Sequence, residues 1–242
     1  LTVDDSLFLY HDVCTNGIGY VDLMFKTDSI APEQIPYLGL LKSVLGYVDT
    51  ENYTYGELFN EINANTGGIN CGVEVFDRAD STEEFQAMFS VRGKALYTKM
   101  DFLFKMIGEI LNSSKLEDTK RLYEIVASVK SRAQVNLTGA GHSTAVLRAT
   151  AYSSPMAAFQ DGMAGIAYYQ FIEKLDREFD DRKEEIIENL KFLMIEILRP
   201  ENLCISYTGE RESLDSVQKQ IRELKKTLHQ EVTESSSSEM IC

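Results

Sequence analysis

The alternation of apolar and polar residues near the start of the chain predicts two β-strands. The segment SLFLYHDVCTNGIGYVDLMFKT is rich in residues that favour strands, and Asn16-Gly17 lies near its middle. Asn-Gly between two such runs is a strong signal for a tight hairpin turn. We therefore expect the two strands to pair with each other as a β-hairpin.

A helical repeat follows this segment. Pro32 suits the first turn of a helix, and apolar residues then recur at helical spacing as far as about Tyr47. They cover almost the whole circumference: Ile35, Tyr37, Leu38, Leu40, Leu41, Val44 and Leu45. A helix that is apolar on nearly every side has little surface for water, so this one is predicted to lie inside the core.

A second helix is predicted from Thr54 to Asn65. Thr54 followed by Glu57 is a capping-box pattern, and Gly67-Gly68 is expected to end the helix. Two strands are predicted next, in GINCGVEVFDR and EFQAMFSVRGKAL. The second of them alternates with a period of two, which predicts one face buried in the core.

The rest of the chain is mainly helical by pattern. The predicted elements are helices over Tyr97–Leu111 and Asp118–Leu137, short helices within 142–179, a helix over Lys183–Leu198, a strand in ENLCISYTG, and a last helix over Ser213–Leu228. This order predicts an α+β fold, an antiparallel sheet with several helices packed on it. We expect residues 1–229 to form a single domain, and residues 230–242, with their serine run, to be a linker or tail.

Composition restricts the partners. With 242 residues, 44% hydrophobic and 26% charged, the chain is expected to be globular. Its 24 Lys and Arg residues against 38 Asp and Glu give a net charge of −14. Nucleic acids and anionic membranes bind basic surfaces, so neither is expected as a partner. No apolar run is long enough to span a bilayer.

The cysteines indicate the compartment. Cys14, Cys71, Cys204 and Cys242 are far apart and form no CxxC pair, which favours free thiols in a reducing compartment. We expect the cytoplasm, with an organelle matrix as the alternative. There is no signal-peptide pattern, and the chain begins at Leu1 rather than Met, so we expect it to be a piece of a larger protein.

The residue types that hold metals do not cluster. His11, His142 and His229 are scattered, and no HxxH, HExxH or HxxEH pattern occurs. A zinc site needs ligands that converge within about 2.0–2.3 Å of the ion. The Gly-rich segment LTGAGHSTA lacks the GK[ST] ending of a phosphate-binding loop and is predicted to be a helix end and a turn. We therefore assign no catalytic or metal-binding residue in this chain.

The segment YVDLMFKTDSIAPEQIPYLGLLKSVLGYVDTENYTYGELFNEINANTGGI resembles the domain repeat of the pitrilysin/insulinase family of zinc metallopeptidases. The similarity is greatest to the presequence-protease branch. LRPENLCISYTGE is similar to the closing strand of the repeat. The resemblance covers about residues 5 to 228, and its most specific part, PYLGLLKSVLGYVDTENYTYGELFNEINANTGGI, is similar to the non-catalytic third domain, at the start of the C-terminal half.

The resemblance implies four α+β domains in two halves that close around a peptide chamber, with zinc held by HxxEH in the first domain. On the corresponding helix this chain offers one of two sets, depending on register: Leu38, Leu41 and Lys42, or Leu40, Ser43 and Val44. Neither set can hold zinc, because aliphatic side chains have no lone pair and a lone lysine is a cation. The resemblance therefore implies a metallopeptidase-repeat domain that lacks the zinc site.

The function implied by the resemblance is that of a non-catalytic domain in a zinc metalloendopeptidase that degrades unstructured peptides. This domain would form part of the chamber wall and close against the catalytic half. Its partners would be the remaining domains of the same polypeptide and the peptide substrates, and zinc would lie in the parent's catalytic domain. By analogy with the edge strand of the active domain, we expect wall contacts from Ile69, Asn70, Cys71, Gly72, Val73 and Glu74.

Two alternatives remain at this point. The chain could be an inactive structural or interaction subunit of a two-chain peptidase complex. It could also be an independent small-molecule or metal enzyme with an unrecognised site. We expect the fragment itself to be inactive and its parent to be a zinc metalloendopeptidase.

Overall fold

Six strands form one sheet in the computed structural model, which describes residues 2–77 and 84–229. The strands are β1 (Thr2–Val3), β2 (Ser6–Asp12), β3 (Ile18–Lys26), β4 (Ile69–Asp77), β5 (Phe85–Leu96) and β6 (Leu203–Gly209). Their order in the sheet is β1-β2-β6-β3-β5-β4. The predicted linker or tail, residues 230–242, lies outside the described residues.

Nine α-helices are present in the described part of the chain. They are α1 (Ile35–Val44), α2 (Tyr55–Asn65), α3 (Met100–Ser113), α4 (Thr119–Gly139), α5 (Gly141–Thr150), α6 (Pro155–Ala164), α7 (Ile166–Arg177), α8 (Phe179–Ile197) and α9 (Leu214–Thr227). Every helix predicted from the sequence is present within a few residues of its expected bounds. The segment 142–179 is divided among three helices, with breaks before Pro155 and at Gly165.

The predicted α+β fold class is confirmed. Four of the five strand pairs are antiparallel, and the exception is the parallel pair of β2 with β6. Alternate residues on one face of the sheet, such as Leu23, Phe89 and Ile205, are completely buried in the main core with the helices. The opposite face carries polar residues, among them Asp22 and Arg92, which form an ion pair.

The predicted hairpin pairing of the first two long strands is wrong. The turn itself is present, with φ values of 54° at Asn16 and 82° at Gly17. However, β2 and β3 do not pair with each other, because β6 lies between them and pairs with both. The inserted strand carries Ile205 and Tyr207, which are fully buried, so its central position adds apolar surface to the core.

Helix α1 is a core helix, as predicted. Leu38, Leu40, Leu41 and Val44 are all completely inaccessible to solvent. The helix packs against β4 and against α4, α6, α7 and α8, which together surround it and explain why it is apolar on almost every side. It ends at Val44, three residues before the predicted bound, because the chain turns at Gly46 with a positive φ of 83°.

The capping box predicted for α2 is present. The Thr54 hydroxyl accepts a hydrogen bond from the Glu57 backbone N–H, and the Thr54 backbone N–H donates to the Glu57 carboxylate at 2.9 Å. The chain leaves α2 through Gly68, whose φ of 102° is in the region that favours glycine. The sequence then enters β4, which places this strand beside α1 and α2.

Candidate functional site

Strand β4 lies at one edge of the sheet in the described part of the chain. All six residues predicted to line a chamber wall, Ile69 to Glu74, belong to this strand. The same six residues line a single groove of about 640 Å³. The structure therefore brings the predicted wall residues together on one open surface, although a role in peptide contact stays a prediction.

The direction of the backbone groups in β5 can be read from two hydrogen bonds that flank its pairing with β3. The Thr27 N–H donates to the Ala87 carbonyl at 3.3 Å, and the Tyr97 N–H donates to the Gly17 carbonyl at 2.9 Å. In an antiparallel pair, hydrogen-bonded and non-bonded residue pairs alternate. Since both bonds fall at odd-numbered positions of this segment, the odd-numbered residues of β5 bond to β3 and its even-numbered residues face β4.

The open edge of β4 follows from this alternation. Gly72 lies opposite Ser90, so the even-numbered residues of β4 are the ones that bond to β5. The odd-numbered residues Ile69, Cys71 and Val73 therefore direct their backbone N–H and C=O groups away from the sheet, towards its open side. Such a row of free donors and acceptors can pair with another extended chain.

The groove beside this edge is built from four further elements. Lys42 and Ser43 reach it from the end of α1, Phe59 and Asn63 from α2, Ile110 from α3, and Arg132 from α4. The exposed rings of Tyr47 and Phe59, 48% and 56% accessible, belong to the same lining. The groove thus combines free backbone groups, aromatic surface and two basic side chains.

The charges in the groove are unevenly paired. Glu74 is the carboxylate in its lining, and Arg92 binds it at 3.1 Å. Neither Lys42 nor Arg132 has an ion-pair partner among the described residues. Burial lowers the pKa of the Lys42 ammonium, because a cation loses hydration when apolar groups surround it.

The two sets of positions that the resemblance aligns with HxxEH lie in different surroundings. Leu38, Leu40, Leu41 and Val44 are packed in the core, whereas Lys42 and Ser43 line the groove. Within residues 2–77 and 84–229, no group of three or more His, Cys, Asp or Glu side chains is placed to hold a metal ion. The donor set on α1 therefore does not fit zinc.

The remaining candidate residues stay separate in space and sequence. His11 lies in β2, His142 in the first turn of α5, and His229 just after α9. LTGAGHSTA forms the junction of α4 and α5, as its interpretation as a helix end and turn predicted. None of the helices that the structure describes is both long and apolar enough to cross a bilayer.

Three cysteines lie within the described residues, and all are free thiols. Cys14 is exposed, Cys204 is buried, and Cys71 is half-buried in β4. Burial raises the pKa of the Cys71 thiol to about 12, because the apolar surroundings disfavour the thiolate. Cys71 therefore contributes a neutral side chain to the edge strand.

Sequence reasoning did not identify Arg132 or Asn63 as part of a site. Each lies on the polar side of a helix, where a charged or amide residue normally faces water. Their proximity to β4 depends on how α2 and α4 pack around α1, and no short motif encodes that arrangement. Lys42 was recognised only as a residue that cannot hold zinc.

An edge-exposed sheet with an aliphatic helix beneath it matches the arrangement expected of a non-catalytic metallopeptidase repeat. The chain belongs to the peptidase M16 subfamily C associated family, whose model matches residues 2–175. This result confirms the resemblance to a non-catalytic domain of the pitrilysin/insulinase metallopeptidases.

Named relatives agree with this membership. Protein HypA of Clostridium perfringens is 33% identical over 222 residues, which are 92% of this chain and 23% of the relative. Presequence protease 1, chloroplastic/mitochondrial, of Arabidopsis thaliana is 26% identical over 213 residues, which are 88% of this chain and 20% of the relative. The chain therefore spans less than a quarter of the length of these proteins.

Two solved structures share the fold. A conserved protein from Enterococcus faecalis V583 superposes with a TM-score of 0.64 at 12% identity, over 90% of this chain and 49% of that one. A peptidase M16 inactive domain from Pseudomonas fluorescens gives a TM-score of 0.59 at 12% identity, over 96% of this chain and 50% of that one. At this identity the likeness concerns the fold.

Proposed function

We propose that this chain is a non-catalytic domain of a zinc metalloendopeptidase that degrades unstructured peptides. In this proposal the domain forms part of the wall of the substrate chamber and closes against the catalytic half of the same polypeptide. Zinc would be held by the catalytic domain, since the side chains on α1 do not suit it. The parent would act in a reducing compartment, the cytoplasm or an organelle matrix.

The observation that carries the proposal is the open edge of β4 beside the groove. An unstructured peptide is already extended, so it can add to an edge strand without first unfolding. The outward backbone groups of Cys71 and Val73 would supply the hydrogen bonds, and these recognise any sequence. Membership in the family of domains associated with M16 peptidases supports the peptidase context.

The proposal is tested by fluorescence anisotropy with a labelled, N-acetylated and C-amidated peptide of Ser, Ala and Val. We expect binding that is lost when alternate residues of the peptide are N-methylated in one phase, and retained when the other phase is methylated. Strand addition uses the N–H groups of every second residue, which gives this difference. Equal binding of the two methylated peptides, or no binding of the parent peptide, would contradict the proposal.

A variant of the chain provides the matching test. Val73→Pro removes an N–H that points to the open side of β4, and proline is tolerated at such edge positions. We expect weaker peptide binding with the sheet retained, as judged by circular dichroism. Unchanged affinity in the folded variant would show that the edge of β4 is not the binding surface.

The second candidate function is that of an inactive subunit in a two-chain peptidase complex. It is favoured by the Pseudomonas fluorescens structure, which is described as an inactive domain. An immunoblot of the source cells with an antibody against this chain distinguishes the two. A band several times larger than 27.3 kDa supports the single-chain enzyme, and a band close to the size of the matched Pseudomonas chain supports the separate subunit.

A further inference from the structure

Two basic side chains from different helices converge on the groove beside β4. Lys42 comes from the last turn of α1, and Arg132 comes from the middle of α4. The whole chain has a net charge of −14, so acidic partners are abundant elsewhere on its surface. A pair of cations in one groove is therefore a local reversal of the overall charge.

These two cations differ from the basic residues around them. Lys130, two residues before Arg132, binds Asp176 at 2.7 Å, and Arg121 near the start of α4 binds Glu124 at 3.0 Å. Among the described residues, Lys42 and Arg132 form no such ion pair. The carboxylate in the groove lining, Glu74, is already bound by Arg92, so it does not serve them.

The position of Lys42 gives this lack of a partner a cost. The residue is half-buried beside fully buried Leu41 and Val44, and burial lowers the pKa of its ammonium group. Removing a cation from water without a counter-charge is unfavourable. A carboxylate brought by a ligand would supply the missing charge.

The geometry of strand addition places ligand side chains near these cations. An extended peptide beside β4 would direct every second side chain to the face of the sheet that carries the helices. That face is where α1 and α4 present Lys42 and Arg132 to the groove. The exposed rings of Tyr47 and Phe59 would contact neighbouring parts of the same peptide.

We propose that this groove selects extended peptide segments that carry an acidic side chain, whose carboxylate binds Lys42 and Arg132. The proposal rests on the proposed function, because it assumes that a peptide pairs with the edge of β4. It adds a preference in sequence to an interaction that backbone hydrogen bonds alone would leave unselective.

The test compares two C-amidated, fluorescein-labelled peptides of Ser, Ala and Val that carry either Glu or Gln at the central position. Charge-assisted hydrogen bonds are stronger than neutral ones, so we expect the Glu peptide to bind about three- to tenfold more tightly at low salt. The ratio should fall as salt is added, because salt screens partly exposed charges.

Three variants assign the preference to the groove. Lys42→Met and Arg132→Gln should each reduce the ratio of the two affinities towards one, while the affinity for the Gln peptide stays nearly unchanged. Lys219→Met, on the exposed side of α9, is the matched control with the same loss of charge and should keep the wild-type ratio. Arg132 is exposed, so Arg132→Gln is informative even where Lys42→Met alters the packing of α1.

The outcomes separate this inference from the proposed function. Equal affinity of the Glu and Gln peptides overturns the inference and leaves strand addition intact. A Gln peptide with a free C-terminal carboxylate that binds as tightly as the amidated Glu peptide, with the same dependence on Arg132, overturns the assignment to an acidic side chain. Failure of every peptide to bind overturns both proposals.

Discussion

Gly39 of α1 lies directly against the aromatic ring of Tyr168 in α7. A Cβ atom on residue 39 would be 2.7 Å from Cε2 of the ring and 3.0 Å from the carbonyl oxygen of Met163 in α6. The absence of a side chain at this position lets α1 approach α6 and α7 closely. The close approach is part of how the helix that corresponds to the zinc helix of the active domain is held as a core helix.

Replacement of Gly39 by alanine should therefore destabilise the domain. The added methyl group meets both a ring and a backbone carbonyl, and overpacking of this kind costs about 1–3 kcal/mol. The free energy of unfolding, measured by urea denaturation, checks this expectation. Gly56→Ala in α2 is the control, because its Cβ would meet nothing within 4 Å, and we expect it to be neutral or slightly stabilising. Equal stability of the two variants would contradict the close approach.

The contact between Tyr37 and Glu185 joins α1 to α8 and depends on pH. The Tyr37 hydroxyl donates to the Glu185 carboxylate at 2.7 Å, and Arg182 donates to the same oxygen at 2.7 Å. Arg182, and then Tyr37, lower the pKa of Glu185 from its ordinary value of 4.5 to about 2. A lowered acid pKa stabilises the folded state above the unfolded value, and this stabilisation is lost as the pH falls through about 2.

The variant Glu185→Gln tests this linkage. Its deficit in stability relative to the wild type should be largest above pH 4.5 and should shrink as the pH falls towards 2. Since the Glu185 side chain is 48% exposed, solvent screening will keep the difference small. Glu184→Gln, at the neighbouring position, controls for the change of charge. Identical pH profiles of the two variants would show that the Tyr37 contact does not influence stability.

Alkylation of the cysteines checks the surroundings of β4. Only the thiolate reacts with iodoacetamide, and burial raises the pKa of Cys71 to about 12 and that of Cys204 above its ordinary value. We expect the exposed Cys14 to be labelled at least about tenfold faster than either residue in the folded protein at neutral pH. Peptide mapping by mass spectrometry gives the rate at each site, with labelling in denaturant as the reference. Rapid labelling of Cys71 would contradict its protected position.

The local signals in the sequence predicted individual elements correctly. Thr54 and Glu57 form the expected capping box, and the apolar circumference of α1 reflects burial by several neighbours. These features depend on residues a few positions apart, so a short pattern contains them. The resemblance also indicated Ile69 to Glu74, which the structure places on one edge strand along one groove.

The errors arose where contacts are distant in sequence. Asn16-Gly17 does form a turn, but β6, almost 190 residues later, enters between the strands on either side of it. A hairpin signal contains no information about a strand that arrives from so far away. Arg132 was missed for the same reason, since its place beside β4 is fixed by the packing of α4 around α1.

The central claim is that this domain keeps the metallopeptidase repeat while α1 supplies packing in place of zinc ligands. The most direct measurement is the zinc content of the purified chain after exposure to zinc and gel filtration, made together with an assay for cleavage of an unstructured peptide. The account predicts far less than one zinc per chain and no cleavage that a chelator abolishes. One tightly held zinc per chain, with peptide cleavage that stops when a chelator is added, would contradict it.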